Sequence, residues 1–223
     1  MTYNAVLFDL DGTLLDSIED LADSMNEVLA RWELPQHPVE AYKYFVGDGM
    51  EQLAERALPR ERRDEATVAR CIREMRQEYQ TRWNAKTRPY AGIPEMLDAL
   101  TERGMTKVVL SNKPEEFTRK MVAGLLSRWR FEVVAGQKPD VPIKPDPAGA
   151  LRIAEQLEIP PKAFLYLGDT NTDMKTAVAA GMFPIGVLWG FREADELLAH
   201  GARVLLEKPM DLLDLPALKD ALG

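Results

Sequence analysis

The feature that most constrains this sequence is a short apolar run that ends in two acidic residues, Asp9 and Asp11, followed by a Gly-Thr turn. The run from Ala5 to Phe8 is typical of a buried strand in a parallel sheet. Side chains two positions apart leave an extended chain on the same side, so Asp9 and Asp11 would point together. Two carboxylates held close are costly to desolvate unless positive charge lies beside them. The end of this strand therefore predicts a site that contains a cation.

An Asp-Gly pair is also a common hairpin turn, and taken alone it would favour a hairpin. A hairpin needs an alternating strand after the turn. Residues 16–32 instead carry apolar side chains at helical spacing, with Asp16 or Ser17 available to cap the helix and Leu34-Pro35 to end it. We therefore expect a strand that leads into a helix.

Two kinds of pattern divide the rest of the chain. Helical patterns continue over 50–58 and 64–83, without a convincing strand. After residue 89 helices alternate with strands, which we expect near 107–110, 131–134, 164–167, 184–188 and 203–205. Such alternation is typical of an α/β fold with a doubly wound parallel sheet. We predict a Rossmann-like core domain of residues 1–15 and 89–223, and an inserted all-α helical-bundle cap domain of residues 16–88.

Composition limits the partners and the location of the protein. The net charge of −8 argues against a nucleic-acid partner, which would require a basic surface. Asp9 and Asp11 interrupt the N-terminal apolar run, so we expect neither a signal peptide nor a membrane span. With one cysteine the chain cannot form an intramolecular disulfide, and we expect a cytoplasmic protein. The sequence leaves open whether it is a monomer or a homodimer.

Polar residues also occupy three later segments that precede predicted helices. They are Ser111 and Asn112, then Lys144, and finally Asp169 and Asp173. Each has an ordinary explanation, because serine, asparagine and aspartate cap helices and a lone lysine is usually a solvated charge. However, ligand sites of such sheets lie at the carboxyl ends of the strands. We therefore expect these residues near Asp9 and Asp11.

The acidic residues have the composition of a metal site. Asp169 and Asp173 could complete an oxygen-rich cage with the side chain of Asp9 and the carbonyl group of Asp11. Mg²⁺ prefers such ligands, and it usually keeps several waters and a substrate phosphate oxygen. The sequence therefore predicts a Mg²⁺ site at these four residues.

The segments together resemble the four motifs of the haloacid-dehalogenase superfamily of phosphohydrolases, in the same order and over almost the whole chain. The matching segments are Asp9-Leu10-Asp11-Gly12-Thr13, Ser111, Lys144 in Lys-Pro-Asp-Pro, and Gly168-Asp169 with Asp173. The resemblance implies that Asp9 is the nucleophile, that Asp11 is the general acid and base, and that Lys144 pairs with the nucleophile. A lysine there would lower the pKa of Asp9. Phosphate binding is implied for Asp9, Leu10, Asp11, Thr13, Ser111, Asn112 and Lys144.

Within the superfamily, the Ser-Asn-Lys-Pro segment at 111–114 and the segment 46–58 resemble phosphoglycolate-phosphatase-like members. This implies a small phosphorylated metabolite as substrate. Gly47 and Gly49 would let the cap backbone approach such a substrate, and Arg56 could reach its carboxylate if the helix points inward. Other phosphatases, for sugar phosphates, nucleotides or pyrophosphate, and a phosphomutase remain alternatives. Asp11 argues against a dehalogenase, and the complete set of motifs argues against a non-catalytic binding module.

Overall fold

The computed structural model describes residues 3–215. Its strands are β1 (Ala5–Phe8), β2 (Leu15–Asp16), β3 (Arg88–Pro89), β4 (Thr106–Pro114), β5 (Val133–Gln137), β6 (Phe164–Gly168), β7 (Phe183–Val187) and β8 (Val204–Leu206). Its α-helices are α1 (Ile18–Arg31), α2 (Val39–Phe45), α3 (Gly49–Ala57), α4 (Glu65–Arg82), α5 (Ile93–Glu102), α6 (Glu115–Leu125), α7 (Ala148–Gln156), α8 (Asn171–Ala180) and α9 (Ala194–Ala199). Short 3₁₀ helices occupy Arg60–Arg62, Pro161–Ala163 and Pro209–Asp214.

Within residues 3–215, six strands form a parallel sheet in the order β5-β4-β1-β6-β7-β8. β1 lies between β4 and β6 and is buried on both faces. Val6 and Phe8 join one hydrophobic cluster with residues of α5 and α6, whereas Ala5 and Leu7 join another with residues of α7 and α8. Helices therefore cover both faces of the sheet. The predicted doubly wound α/β fold is confirmed.

The Asp-Gly turn after β1 does not form a hairpin. β1 pairs in parallel with β4 and β6. The short strand β2, which the sequence did not predict, pairs instead in antiparallel fashion with β3, with Leu15 opposite Pro89. This two-stranded ribbon joins the beginning and the end of the helical segment, which we call the insertion (residues 17–87).

The insertion consists, in the described chain, of helices α1 to α4 and the 3₁₀ turn at 60–62. The predicted apolar stripe of the long helix is buried: Val68, Cys71, Met75 and Tyr79 are all nearly inaccessible. Its start is capped by Asp64, whose carboxylate accepts a hydrogen bond from the Thr67 amide. The helical character of this segment matches the prediction. The exact division into two domains remains a prediction, and its outer ends, 1–2 and 216–223, lie outside the described residues.

Some elements differ from the sequence-based expectation. β5 occupies 133–137 rather than 131–134, and the predicted strand at 203–205 lies at 204–206. α2 and α9 were not predicted, because helices of seven and six residues are too short to show a clear period. Ser17 occupies the N-cap position of α1 but makes no capping bond, since its hydroxyl group is used elsewhere. No helix within 3–215 has the length and apolar character needed to cross a lipid bilayer.

Candidate active site

The carboxyl ends of the two central strands bring the first and fourth motifs together. Asp9 follows β1 directly, and its amide donates a hydrogen bond to the Leu167 carbonyl group in β6 at 3.0 Å. Asp169 follows β6 directly, and Asp173 lies in the first turn of α8. Ligand atoms of Asp9, Asp169 and Asp173 lie within 4.8 Å of one another, and all three residues are buried. The structure therefore brings these predicted metal ligands together.

The three carboxylates carry more negative charge than the one neighbouring lysine, Lys144, can offset. Burial, and then the charge of Asp173, raise the pKa of Asp9 to about 7. Burial and the charges of Asp173 and Asp9 likewise raise the pKa of Asp169 well above its usual value. Oδ1 of Asp9 is buried, and Nζ of Lys144 lies 2.9 Å from it. Three buried carboxylates with one lysine beside them keep an excess of negative charge, and such an oxygen-rich cluster fits a hard divalent cation.

Lys144 lies beside this cluster. Its Nζ atom is 2.9 Å from Oδ1 of Asp9 and 2.6 Å from Oδ1 of Asp173, and its side chain is almost fully buried. Burial alone lowers the pKa of Lys144, but the two carboxylates outweigh it and raise that pKa. The expectation that Lys144 lowers the pKa of Asp9 is confirmed, since both its charge and its hydrogen bond act in that direction. Burial and the charge of Asp173 outweigh this effect, so the pKa of Asp9 is raised overall.

Asp173 caps α8, as its ordinary explanation predicts, and also contacts Lys144. Its Oδ2 atom accepts a hydrogen bond from the Thr170 amide at 3.1 Å, and its own amide donates to Oγ1 of Thr170 at 3.3 Å; these two bonds form the capping box of α8. The Thr170 hydroxyl group also donates to Oδ2, at 2.6 Å. The Oδ1 atom of Asp173 faces Lys144. Asp173 therefore fixes both the helix start and the lysine beside Asp9.

Asp169 is held by groups from two loops. Thr13 donates its hydroxyl proton to Oδ1 at 2.9 Å, and the Phe191 amide donates to Oδ2 at 2.9 Å. The Thr13 side chain was expected at the phosphate, but it orients this acid instead. Leu10, the other expected phosphate contact in that motif, buries its side chain in the hydrophobic core, so this side chain does not face the site. The amide of Phe191 was missed because a backbone donor leaves no signal in the sequence.

Asp11 is paired with a lysine that sequence analysis did not single out. Nζ of Lys113 lies 2.9 Å from both carboxylate oxygens of Asp11, and Ser17 donates to Oδ1 at 2.5 Å. The ammonium group also lies 4.5 Å from the ring centre of Tyr79 in α4. Lys113 is two positions after Ser111 on β4, so both side chains leave the strand on the same side. That spacing was the signal that could have identified it.

Ser111 and Asn112 occupy the end of β4. Oγ of Ser111 accepts a hydrogen bond from the Lys113 amide at 3.2 Å, which leaves its own proton free to be donated. Asn112 makes two hydrogen bonds with the backbone of Lys144, at 2.9 and 2.8 Å, and donates a third to the Gly47 carbonyl group at 3.0 Å. The Asn112 amide group therefore holds the Lys144 segment and the insertion in place.

A cavity of about 40 Å³ lies between the insertion and the carboxyl end of the sheet. It is lined by Asp9, Asp11, Ser111, Asn112, Lys113 and Pro114, by Gly47 and Gly49, and by Leu21, Val46, Met50, Leu53, Tyr79 and Phe117.

The expectation that Arg56 reaches this space is wrong. Its guanidinium group donates to the Asp48 carboxylate at 2.6 Å and to the carbonyl groups of Tyr44 and Phe45. These bonds keep Arg56 within the insertion, outside the described lining of the cavity.

Comparison with known proteins agrees with this geometry. A family model described as haloacid dehalogenase-like hydrolase matches residues 6–187. The chain is 30% identical to a phosphoglycolate phosphatase of Aquifex aeolicus, over 94% of this chain and 95% of that one. It is 31% identical to an N-acetylmuramic acid 6-phosphate phosphatase of Pseudomonas aeruginosa, over 96% of this chain and 95% of that one. The crystal structure of a predicted phosphoglycolate phosphatase from Haemophilus somnus superposes with a TM-score of 0.89 at 25% identity, covering 96% of this chain and 98% of that one.

Proposed function

This chain belongs to the haloacid dehalogenase-like hydrolase family, and on that premise we propose that it is a Mg²⁺-dependent phosphomonoester hydrolase acting on 2-phosphoglycolate. The observation that carries the proposal is the pair of acids, Asp9 and Asp11, each beside its own buried lysine. One acid can serve as nucleophile and the other as proton carrier, because they lie two residues apart at one strand end. The family membership supplies the reaction class.

In the first step, a carboxylate oxygen of Asp9 attacks phosphorus while the bond from phosphorus to the ester oxygen breaks. Asp11 donates a proton to the leaving oxygen. In the second step, a water molecule attacks the phosphorus of the aspartyl phosphate and transfers a proton to Asp11. Inorganic phosphate is released and the Asp9 carboxylate is restored. Ser111 and Lys144 would donate hydrogen bonds to the phosphoryl oxygens and offset their charge.

Asp9 and Asp169, with the carbonyl group of Asp11, would hold the Mg²⁺ ion directly, and Asp173 would support it through a water molecule or through its contacts with its neighbours. When bound, the ion would neutralise charge on the phosphoryl oxygens. The close approach of the three buried carboxylates and the raised pKa values of Asp9 and Asp169 support this assignment, because a bound cation would offset their mutual repulsion.

The size of the cavity supports a small leaving group. A cavity needs about 10–15 Å³ to hold one water molecule, so 40 Å³ leaves room for about three. Glycolate is closer to this size than a sugar or a nucleotide. The relative from Aquifex aeolicus is named a phosphoglycolate phosphatase, which supports the same substrate. The proposal includes a cytoplasmic location and a monomer or homodimer, as the sequence suggested.

The similarity to an N-acetylmuramic acid 6-phosphate phosphatase favours a second candidate, a sugar phosphate. This candidate requires the insertion to move away from the sheet, since the cavity is too small for an amino sugar. A larger substrate would therefore bind to a more open arrangement.

Phosphate release from a panel of phosphomonoesters, with Mg²⁺ and with a chelator, tests the proposal. The panel would contain 2-phosphoglycolate, N-acetylmuramic acid 6-phosphate, glucose 6-phosphate and a nucleoside monophosphate, with Asp9→Asn as the control. We expect release that requires both Mg²⁺ and Asp9 and is fastest with 2-phosphoglycolate. Faster release from another ester would show that this ester, and not 2-phosphoglycolate, is the preferred substrate. Release by Asp9→Asn at the wild-type rate would refute the mechanism.

A further inference from the structure

Lys113 has no part in the reaction steps above, although its ammonium group lies in the cavity. The Lys113 side chain is 5% exposed, and its Nζ atom contacts both oxygens of Asp11 at 2.9 Å. The ring of Tyr79, from the insertion, covers it at 4.5 Å. Burying a lysine is costly because its charge loses its hydration, and the attraction to one carboxylate often does not repay that cost.

The ammonium group can bind an entering carboxylate in place of its weakest contact. It carries three N–H donors: the two oxygens of Asp11 accept two of them, and the third faces Tyr79, whose ring centre is 4.5 Å away. A carboxylate accepts a stronger hydrogen bond from an ammonium group than a neutral tyrosine does. Among the described residues that line the cavity, Lys113 is the only one with a positive charge. An anionic group that enters this cavity would therefore bind to the ammonium group of Lys113.

The apolar wall that the insertion contributes makes the Lys113 charge favour anionic leaving groups over neutral ones. Leu21, Val46, Met50 and Leu53 are apolar, as is Phe117 on the other side. An anion in such surroundings is stabilised only beside a cation, whereas a neutral hydroxyl group gains much less from the same contact. The cavity therefore distinguishes leaving groups by charge.

The position of Lys113 indicates which part of a substrate it contacts. In the proposed reaction Asp11 donates its proton to the leaving oxygen, and Lys113 lies on the carboxylate of Asp11. A group one or two atoms beyond the leaving oxygen therefore comes close to Nζ of Lys113. The phosphoryl group lies on the other side, at Asp9 and Lys144.

We propose that Lys113 is a specificity-determining residue that binds a carboxylate on the leaving group of the substrate. This inference rests on the proposed phosphomonoesterase function and identifies its substrate class as small phosphomonoesters with an anionic leaving group. Lys113 takes the place that Arg56 cannot take, because Arg56 is bound within the insertion.

The test compares two substrates of nearly equal size, 2-phosphoglycolate and 2-hydroxyethyl phosphate, which differ in a carboxylate against a hydroxymethyl group. The measured quantity is the ratio of their kcat/KM values in the wild type and in Lys113→Met. This ratio does not depend on the fraction of folded enzyme, because both substrates meet the same preparation. Lys120→Met is the matched control: Lys120 also lies over an aromatic ring, Trp83 at 5.0 Å, but outside the cavity.

We expect the wild type and Lys120→Met to prefer 2-phosphoglycolate, and Lys113→Met to lose about 10- to 100-fold of that preference, as for a lost hydrogen bond to a charged group. If Lys113 only orients Asp11, both kcat/KM values fall by the same factor and the ratio stays constant, which would overturn the inference. A wild type that prefers 2-hydroxyethyl phosphate would overturn it as well. A wild type that hydrolyses no phosphomonoester would instead refute the proposed function.

Equilibrium binding keeps the test decisive if Lys113→Met has no turnover. Asp9→Asn, which retains the Lys113–Asp11 pair, is compared with Asp9→Asn/Lys113→Met for binding of both esters. We expect the second substitution to weaken binding of 2-phosphoglycolate about 10- to 100-fold and to change binding of 2-hydroxyethyl phosphate much less. Equal weakening of both esters would contradict the inference.

Discussion

At the scale of the residue, Asp9 shows how burial and neighbouring charges compete at one carboxyl group. Lys144 favours the ionised form from 2.9 Å, yet burial and Asp173 raise the pKa from 3.8 to about 7. A carboxyl group whose pKa is higher in the folded than in the unfolded state destabilises the fold as pH rises through this interval. Above this interval the charge on Asp9 therefore lowers the stability of the metal-free protein, and a bound metal ion would offset that loss.

We predict that Asp9→Asn raises the thermal stability of the metal-free protein. In a chelator, the difference from the wild type should be absent below about pH 4, grow up to about pH 7 and stay constant above it. Its upper limit is about 4 kcal/mol, the equivalent of the pKa shift, or several degrees in Tm. Thermal unfolding at a series of pH values measures it. Saturating Mg²⁺ should reverse the order, since only the wild type keeps all ligands; a variant that is less stable than the wild type at pH 8 in chelator would contradict this account.

Gly12 shows that the position of Asp169 depends on a residue without a side chain beside it. Its φ angle is +84°, and a Cβ atom there would lie 2.2 Å from Oδ2 of Asp169. We predict that Gly12→Ala displaces Asp169 and reduces metal affinity or activity about 10- to 100-fold. Gly104→Ala is the matched control, because Gly104 has a φ of +65° with no atom within 4 Å of such a Cβ. It should lose about 1–2 kcal/mol of stability and no activity. Equal losses of activity would show that the backbone angle, and not contact with Asp169, is responsible.

At the scale of the element, the segment 43–48 of the insertion is bound to the loops of the sheet. Arg192 donates to the carbonyl groups of Lys43 and Val46 and lies 5.0 Å from the ring of Tyr44. Asp48 accepts a hydrogen bond from Thr172 at the start of α8, at 2.7 Å. These bonds hold the insertion over the cavity, and we expect them to oppose any opening that accompanies product release.

We predict that Arg192→Met lowers kcat/KM for the preferred substrate about tenfold, because the closed arrangement loses a charge-assisted hydrogen bond. Arg203→Met is the control. Arg203 also lies over an aromatic ring, but that ring belongs to Phe183 in β7 of the sheet, at 5.6 Å, and not to the insertion. Steady-state kinetics measures kcat/KM for both variants, and we expect Arg203→Met to keep the wild-type value. If Arg203→Met has the same effect as Arg192→Met, closure by this segment is not what limits kcat/KM.

At the scale of the whole molecule, the parallel sheet explains how much the sequence could predict. Asp9 and Asp169 follow strands whose apolar runs are visible, and neighbouring strands of such a sheet end at one edge, so their meeting could be predicted. Lys113 could have been found from its spacing to Ser111. The direction of Arg56 could not, since it depends on how Asp48 and the carbonyl groups at 44 and 45 are arranged. The net pKa of Asp9 likewise sums burial and several charges that only the folded chain defines.

The central claim is that Asp9 carries the phosphoryl group as a covalent intermediate while Asp11 moves protons. The most direct test is the reaction of Asp11→Asn with p-nitrophenyl phosphate and Mg²⁺, because p-nitrophenolate leaves without a proton and only the second step then needs Asp11. We predict a burst of p-nitrophenolate equal to the enzyme concentration, with phosphate on the peptide that contains Asp9. Asp9→Asn/Asp11→Asn should give no burst. Phosphate on any other residue, or a burst that persists without Asp9, would contradict the account.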